Sequence, residues 1–351
     1  MFQNIMGALG GTLNGVAAML LAVSLGFGSV PTAMLFIVGG IGMAIFGEIT
    51  PVLIQSELIV LAAAFGKDRD ERLSICVWAG VITTILGVTG VVERVVNFIG
   101  DNILYGIMAG VGIMLVKVSF DMIKSNKVIG VLTLVLGIIA YVLTESLIYT
   151  SIFTIIPAGI VWNVLKRKRS EETKPVDMTN ERFRLTKLSF HPSMLRASFA
   201  IVTLLMGGII SEAPINSALA GGVTTQFNAI TTYAGIAGIL SPLFGGAPAG
   251  VVITCTASAP QPILAGVLLM AVLAVLMLLK VVPRCLKILP SECVAGLLFT
   301  MGALVIFPPN AAIALQGNPI IGGVTMLIAA LVDPFSGMVA GLAARYLVLL
   351  M

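Results

Sequence analysis

The sequence predicts an all-α membrane protein of about fourteen transmembrane segments, arranged as two halves of similar length. The chain has 351 residues, of which 58% are hydrophobic and 10% are charged, and its mean hydropathy is +1.09. Soluble folds of this length are far more polar. One strongly polar stretch, residues 166–196, divides the apolar runs into two sets.

Seven apolar runs precede the polar stretch and seven follow it, and a helix needs about 20 residues to cross a bilayer upright. The first set predicts segments at about 6–27, 31–47, 50–66, 72–92, 102–120, 128–145 and 148–165. The second set predicts segments at about 197–220, 225–243, 248–260, 262–282, 291–307, 318–333 and 335–351. We expect a first repeat in residues 1–165 and a second in residues 197–351. The first run should stay as a span, because no basic region of a cleavable signal precedes it.

The third and tenth segments are short and are interrupted in the same way. Phe46-Gly47-Glu48-Ile49-Thr50-Pro51 opens the third, and Phe244-Gly245-Gly246-Ala247-Pro248 opens the tenth. Matched Gly/Pro interruptions at the same place in two halves indicate the central site of a transporter. Lipid cannot pair the freed backbone groups, so such breaks line an enclosed cavity. A chance repetition of proline kinks is the alternative, since Gly and Pro are common in membrane helices.

Glu212 is the only charged residue between Arg196 and Lys280. A carboxylate in a membrane-spanning stretch is costly, and it usually faces a cavity and takes part in solute or proton movement. The sequence therefore predicts Glu212 as a substrate-binding and proton-coupling residue. A protonated or hydrogen-bonded Glu that joins two helices is the alternative.

The polar stretch 166–196 carries nine Lys or Arg and four acidic residues. It is predicted to be a basic cytoplasmic linker rather than a nucleic-acid patch, because positive loops stay on the cytoplasmic side. Together with the loops after segments three, five and eleven, it holds 18 of the 20 basic residues. This bias predicts that both termini lie on the non-cytoplasmic side of the cell (plasma or inner) membrane.

Several classes of site are not indicated by the sequence. The four cysteines lack metal-ligand spacing, and His191 is the only histidine, so no metal or other cofactor is expected. Free cysteines are commonly buried, and core packing is the expected role. No G-x-x-x-x-G-K loop is present, which argues against an ATP-driven pump. No nucleophile–base pair indicates an enzyme.

Four segments resemble motifs of the nucleobase–ascorbate transporter family, the xanthine/uracil permeases. Residues 12–19 resemble the Leu-Gln-His pattern of the family's first helix, and residues 209–212 resemble its eighth-helix glutamate segment. Residues 244–248 resemble its tenth-helix Phe-Gly-Ser-Thr-Pro, and residues 289–298 resemble the start of its twelfth helix. The resemblance extends weakly over nearly the whole chain.

The resemblance implies a 7+7 inverted repeat divided into a core (segments 1–4 and 8–11) and a gate (segments 5–7 and 12–14). It implies proton-coupled symport (or Na⁺ coupling) of a nucleobase or a similar planar, weakly acidic solute, cytoplasmic termini and a possible homodimer. Besides Glu212, the residues implied to bind the solute are Asn216, Gly246, Ala247, Thr254, Thr50 and Asn14.

The chain departs from the family in its acids. No acidic residue lies between Val251 and Thr254, where the family has a second binding carboxylate. Glu48, near the third segment, is a candidate replacement and a second proton-coupling residue; otherwise it is an interfacial residue. A sulfate-permease-like anion carrier is the alternative function, favoured by the missing acid and opposed by Glu212. A channel or a non-transporting membrane subunit is a third possibility, which the paired breaks disfavour.

Overall fold

The computed structural model describes residues 2–24, 26–66, 68–169, 183–281 and 291–350. Residues 170–182 of the predicted linker and the connection 282–290 lie outside the described residues. Within the described ranges, seven helices are long and apolar enough to cross a membrane, and three shorter apolar helices accompany them. The chain is a multi-pass membrane protein, as expected.

Among its described residues, the first half comprises eight helices and one short strand. In order they are α1 (Phe2–Ser24), α2 (Ser29–Phe46), β1 (Val52–Leu53), α3 (Ser56–Phe65), α4 (Arg69–Val88), α5 (Val91–Ile99), α6 (Asp101–Ser125), α7 (Lys127–Thr144) and α8 (Leu147–Arg169).

Helix α5 was not predicted, because the predicted fourth segment, 72–92, ended at the start of α5 and the fifth began only at residue 102. Gly90 ends that run in the left-handed conformation (φ 71°), which glycine adopts without steric cost. The chain then turns into a separate helix that buries Val92, Val96 and Ile99 on one face.

The second half begins with α9 (Pro192–Leu219) and α10 (Phe227–Leu243), followed by β2 (Gly250–Val251), a 3₁₀ turn (Cys255–Ser258) and α11 (Pro262–Leu278). A 3₁₀ turn (Ser291–Val294), α12 (Ala295–Thr300), a π-helical turn (Met301–Ile306) and α13 (Phe307–Gly317) then form one segment. Helices α14 (Pro319–Leu331) and α15 (Pro334–Leu350) complete the fold.

The third and tenth segments are interrupted, as predicted. Both Phe-Gly glycines are left-handed, Gly47 with φ 65° and Gly245 with φ 99°, so the two breaks need glycine for the same steric reason. The third segment continues as α3, but the tenth forms only a 3₁₀ turn instead of the predicted short helix. Pro260 disfavours helical backbone at the residue before it, and Ala259 is extended (φ −77°, ψ 155°).

The helices pack as two bodies. In the first, the core, α4 packs on α10, and α11 packs on α1 and α2. The α4–α10 crossing is backbone to backbone, since a Cβ at Gly80 would lie 2.6 Å from the carbonyl carbon of Gly238. In the second, the gate, α6 packs on α13, α14 and α15, and α7 packs on α8 and α12. The two bodies meet chiefly where α1 touches α8 and where α9 touches α6 and α15.

The described end of the predicted linker runs along the core in extended form. The Thr186 N–H donates to the Leu243 carbonyl (2.8 Å), and the indole N–H of Trp78 donates to the Ser189 carbonyl (3.1 Å). Phe183 stacks on Phe244 with ring centroids 4.8 Å apart. This segment, residues 183–191, therefore packs against both α4 and the C-terminal end of α10.

Candidate substrate site

The two broken segments meet inside the core as a pair of short antiparallel strands. Val52 lies opposite Val251, and Leu53 lies opposite Gly250. All four residues are buried. The pairing satisfies backbone groups that lipid could not, and it places the end of one half-segment against the other.

Side chains from neighbouring helices satisfy further backbone groups of these segments. Tyr233 on α10 donates its hydroxyl hydrogen to the Thr50 carbonyl (2.6 Å). The Asn216 side-chain amide donates to the Val252 carbonyl (3.1 Å), and its oxygen accepts from the Thr254 N–H (3.1 Å). The breaks are thus held at fixed positions by α9 and α10.

A cavity of about 190 Å³ lies beside the strand pair, between the core and the gate. Core residues form one wall, and α6 with the segment that contains α12 forms the other. The lining comprises Gly15, Ala18, Leu53, Ile54, Gln55, Glu212, Val252 and Ile253 from the core, and Leu115, Val118, Met122, Val294, Leu298 and Met301 from the gate. Among these lining residues, Glu212 is the single charged group.

Glu212 enters the cavity from α9, next to Gln55. The Gln55 side-chain amide donates to Glu212 Oε1 (3.4 Å) and to the Val251 carbonyl. Ser211, on the other side of α9, donates its hydroxyl hydrogen to the Gly207 carbonyl (2.7 Å). The predicted key carboxylate therefore lies at the cavity and contacts both broken segments through Gln55.

The cavity also contains the N-terminal end of α3. Gln55 is the N-cap residue of this helix, and its side chain makes no capping bond to the first turn. The Ile59 N–H donates to the Gln55 carbonyl (3.3 Å). The backbone N–H groups of the helix before Ile59 therefore have no carbonyl acceptor within the helix itself. A helix N-terminus carries partial positive charge and favours anions.

Asn216 and Thr254 lie close together, but neither of them lines the cavity. Asn216 is fully buried, and its amide is used on Val252 and Thr254. The Thr254 hydroxyl is 2.5 Å from that of Thr256. In the described structure these two residues support the tenth segment.

Gly246, Ala247 and Thr50 are buried at the ends of the breaks and are absent from the cavity lining. A Cβ at Gly246 would lie 2.6 Å from the Thr32 nitrogen, so this glycine allows the chain to approach α2. The Ala247 N–H donates to the Thr32 hydroxyl (3.0 Å). Thr50 offers its carbonyl to Tyr233.

Asn14 and Glu48 have different surroundings. Asn14 belongs to α1, beside Gly15, which lines the cavity; its side chain lies outside the described parts. Glu48 is 2% exposed and accepts from the backbone N–H groups of Gln226 (2.7 Å) and Ile49 (3.1 Å). It lies outside the cavity lining and fixes the start of α10.

Burial raises the pKa of the Glu48 carboxyl above its ordinary value, while the N–H groups of Gln226, Ile49 and Thr50 oppose this shift. The structure thus separates the two acids proposed for proton coupling. Glu212 faces the cavity, and Glu48 faces backbone groups.

Gln55 and the gate residues of the cavity were missed by the sequence analysis. Gln55 is a polar residue in an apolar segment four positions after Pro51, which is the kind of signal that identified Glu212. The π-helical turn that begins at Met301 precedes Pro308 and Pro309. Prolines lack the N–H that would continue the helical bonding, and π-helical turns often occur at functional sites.

No protein-family model and no curated protein matches the sequence. Solved structures do match. The transmembrane domain of the bicarbonate transporter BicA from a cyanobacterium has a TM-score of 0.63 at 15% identity, covering 97% of each chain. Murine Slc26a9, an anion transporter in the inward-facing state, has a TM-score of 0.62 at 13% identity, covering 100% of this chain and 68% of that one. A second SLC26A9 structure has a TM-score of 0.63 at 12% identity, covering 99% and 65%.

The resemblance to the nucleobase–ascorbate transporter family is therefore wrong, since the matching structures are SLC26-type anion transporters. The expected architecture is confirmed, because these neighbours share the 7+7 inverted repeat. The short motifs quoted for the resemblance therefore did not identify the family. The chain has the membrane fold of the SLC26-type transporters.

Proposed function

We propose that this protein is a secondary transporter that moves a small inorganic anion by alternating access, coupled to protons at Glu212. The observation that carries the proposal is the cavity between core and gate, which contains both Glu212 and the start of α3. A site between two bodies can be exposed to either membrane face by their relative movement. This function replaces the nucleobase interpretation.

The α3 N-terminus supports an anionic solute. The dipole and the first-turn N–H groups of a helix stabilise an anion by about 0.3–1 kcal/mol at exposed sites and about 2 kcal/mol where partly buried. None of the described lining residues is basic, so backbone N–H groups supply the positive potential. The structural neighbours are named as bicarbonate and anion transporters, which favours bicarbonate or sulfate as the class to test.

Glu212 opposes anion binding unless its charge is neutralised. Two like charges about 4 Å apart repel by about 4 kcal/mol at an effective dielectric constant of about 20, which exceeds the helix contribution. A proton on Glu212 removes this repulsion, so the anion and the proton should bind together. Sodium near the carboxylate would act in the same way and is the alternative coupling ion.

We also propose the remaining organisation from the sequence. Residues 1–165 and 197–351 form the two repeats, and the linker 166–196 lies on the cytoplasmic side, since basic loops are retained there. Asn14, Asn216, Thr254, Thr50, Gly246 and Ala247 support the site from its surroundings. The possible homodimer was implied only by the resemblance to nucleobase–ascorbate transporters, and it loses that support with the correction of the family.

The experiment is uptake of labelled bicarbonate, sulfate and chloride by purified protein in liposomes, with and without an inward proton gradient. We expect the gradient to drive accumulation of at least one anion. Glu212→Gln should abolish this accumulation and retain anion exchange at equal pH on both sides. Glu145→Gln, an exposed acid at the end of α7, is the matched control.

Two outcomes contradict the proposal. Absence of transport of all three anions by the wild type would remove the function. Accumulation that follows a sodium gradient and ignores the proton gradient would assign the coupling to sodium.

A further inference from the structure

Gln55 joins the carboxylate at the cavity to the backbone of the broken segments. It is the N-cap residue of α3 and is 8% exposed. Its Nε2 atom donates to the Val251 carbonyl on β2 and to Glu212 Oε1 (3.4 Å) on α9. One nitrogen thus connects three separate elements of the core.

The orientation of this amide is set by chemistry. A backbone carbonyl can only accept a hydrogen bond, so the nitrogen side of the amide must face Val251. The two hydrogens of that nitrogen then serve Val251 and Glu212. The assignment of nitrogen and oxygen therefore follows from the partners.

The surrounding backbone leaves room for the Gln55 side chain. A Cβ at Gly208 on α9 would lie 2.9 Å from Gln55 Nε2, and a Cβ at Gly250 on β2 would lie 2.6 Å from Gln55 Cγ. Glycine at both positions lets the amide reach from α3 to the other two elements.

The bond from Gln55 depends on the charge of Glu212. An ionised carboxylate accepts a charge-assisted hydrogen bond, which is roughly twice as strong as a neutral one. A protonated Glu212 therefore accepts a weaker hydrogen bond from Gln55. The same Gln55 nitrogen also donates to the Val251 carbonyl. Protonation at the cavity can thus alter the restraint on the strand pair.

Resting on the proposed function, we propose that Gln55 is a positioning residue that couples the protonation of Glu212 to the arrangement of the two broken segments. It favours the ionised form of Glu212 and releases the carboxylate when the proton binds. Glu212 carries the proton, and Gln55 sets the proton concentration at which loading occurs.

Glu212 is the single titratable group among the described lining residues. Elements packed against α9 carry further titratable or charged groups: Arg69, Asp70, Glu71, Arg72 and Cys76 on α4, Asp101, Tyr105, Lys117, Asp121 and Lys124 on α6, Tyr233 on α10, Cys255 in the 3₁₀ turn, and Arg345 and Tyr346 on α15. None of these lines the cavity. The side chain of Glu57 on α3 lies outside the described parts.

The test is the pH profile of sulfate and bicarbonate uptake in liposomes for two variants. Gln55→Met removes both donors at similar length, and Gln55→Glu places a second acid beside Glu212. Both disfavour an ionised Glu212. We expect half-maximal uptake at about tenfold lower proton concentration, since a hydrogen bond to a charged group is worth about a factor of ten or more.

Gln226→Met is the matched control. The Gln226 amide also donates to a backbone carbonyl, that of Phe46 (3.0 Å), but at an exposed site outside the cavity. Its uptake should keep the wild-type pH profile.

Unchanged half-maximal pH in Gln55→Met and Gln55→Glu, whatever their transport rates, would overturn the proposal. Failure of both variants to yield folded membrane protein would overturn it too, because it would assign Gln55 a purely structural role. A wild type without proton-dependent uptake would instead refute the proposed function, so the two failures are distinguishable.

Discussion

Asn216 Oδ1 accepts a hydrogen bond from the Thr254 backbone N–H (3.1 Å) and thereby fixes the position of Thr254. The same side chain donates to the Val252 carbonyl at 3.1 Å. Asn216 is fully buried, so one amide supplies a donor and an acceptor to the interrupted tenth segment. Where a helix is broken inside a membrane, a neighbouring side chain must replace the missing backbone partners.

We expect Asn216→Leu to destabilise the protein by about 2–6 kcal/mol, because each of two buried backbone groups loses its partner at about 1–3 kcal/mol. The measurement is the thermal unfolding midpoint in detergent. Asn102→Leu is the control, since the Asn102 amide makes one bond, to the Ala314 carbonyl (3.1 Å), at a partly buried site. An Asn216 variant as stable as the Asn102 variant would contradict this role.

Glu48→Gln should separate stability from coupling. Because burial raises the pKa of Glu48, the folded protein binds a proton more tightly than the unfolded chain does. Its stabilising contribution is therefore present below the unfolded pKa and is lost as pH rises through the raised folded pKa. The unfolding midpoint of the wild type should fall over that window, and Glu48→Gln should remove this part of the slope.

The same variant should keep the wild-type pH profile of uptake, because Glu48 lies outside the cavity lining. Loss of proton-driven accumulation in Glu48→Gln would return Glu48 to the coupling mechanism.

Local patterns predicted much of the architecture. The repeated Phe-Gly before a proline correctly predicted the position of both breaks. Gly47 and Gly245 have a positive φ there, which glycine adopts without steric cost. The apolar runs gave the fourteen segments, since bilayer thickness fixes their length. Glu212 was found because a lone carboxylate is conspicuous in an apolar stretch.

Long-range contacts were not predictable in the same way. Gln55 lies 157 positions from Glu212, and no local pattern indicates that they touch. The gate wall consists of residues such as Leu115 and Val294, which cannot be distinguished from lipid-facing residues by type. The family resemblance was wrong, and it rested on four short motifs that cover a small part of the chain.

Gly80→Ala should destabilise the core. The new Cβ would lie 2.6 Å from the Gly238 carbonyl carbon, and backbone on both sides leaves no flexible atom to move. Overpacking of this kind costs about 1–3 kcal/mol, measurable as a lower unfolding midpoint. Gly323→Ala is the control, because the nearest atom to its Cβ would be 4.0 Å away; equal effects at both sites would contradict the close α4–α10 crossing.

Core and gate also touch outside the cavity lining, through small side chains. A Cβ at Gly10 on α1 would lie 2.3 Å from the Ser151 hydroxyl on α8 and 3.1 Å from Cys255 Sγ. Ser151 and Cys255 are buried. On α6, the cavity lining runs from Leu115 to Met122, toward the C-terminal end of the helix, which carries Lys124.

The Ser151 side chain lies within hydrogen-bond reach of Cys255, so Ser151→Cys should form a disulfide with the native Cys255 on oxidation and hold the two bodies together at this contact. If transport requires that the bodies separate here, oxidation should stop anion uptake in liposomes, and a reductant should restore it. Ser151→Cys combined with Cys255→Ala is the control, which should stay active under oxidation. Uptake that continues at the wild-type rate with the cross-link formed would show that this contact stays closed throughout the transport cycle.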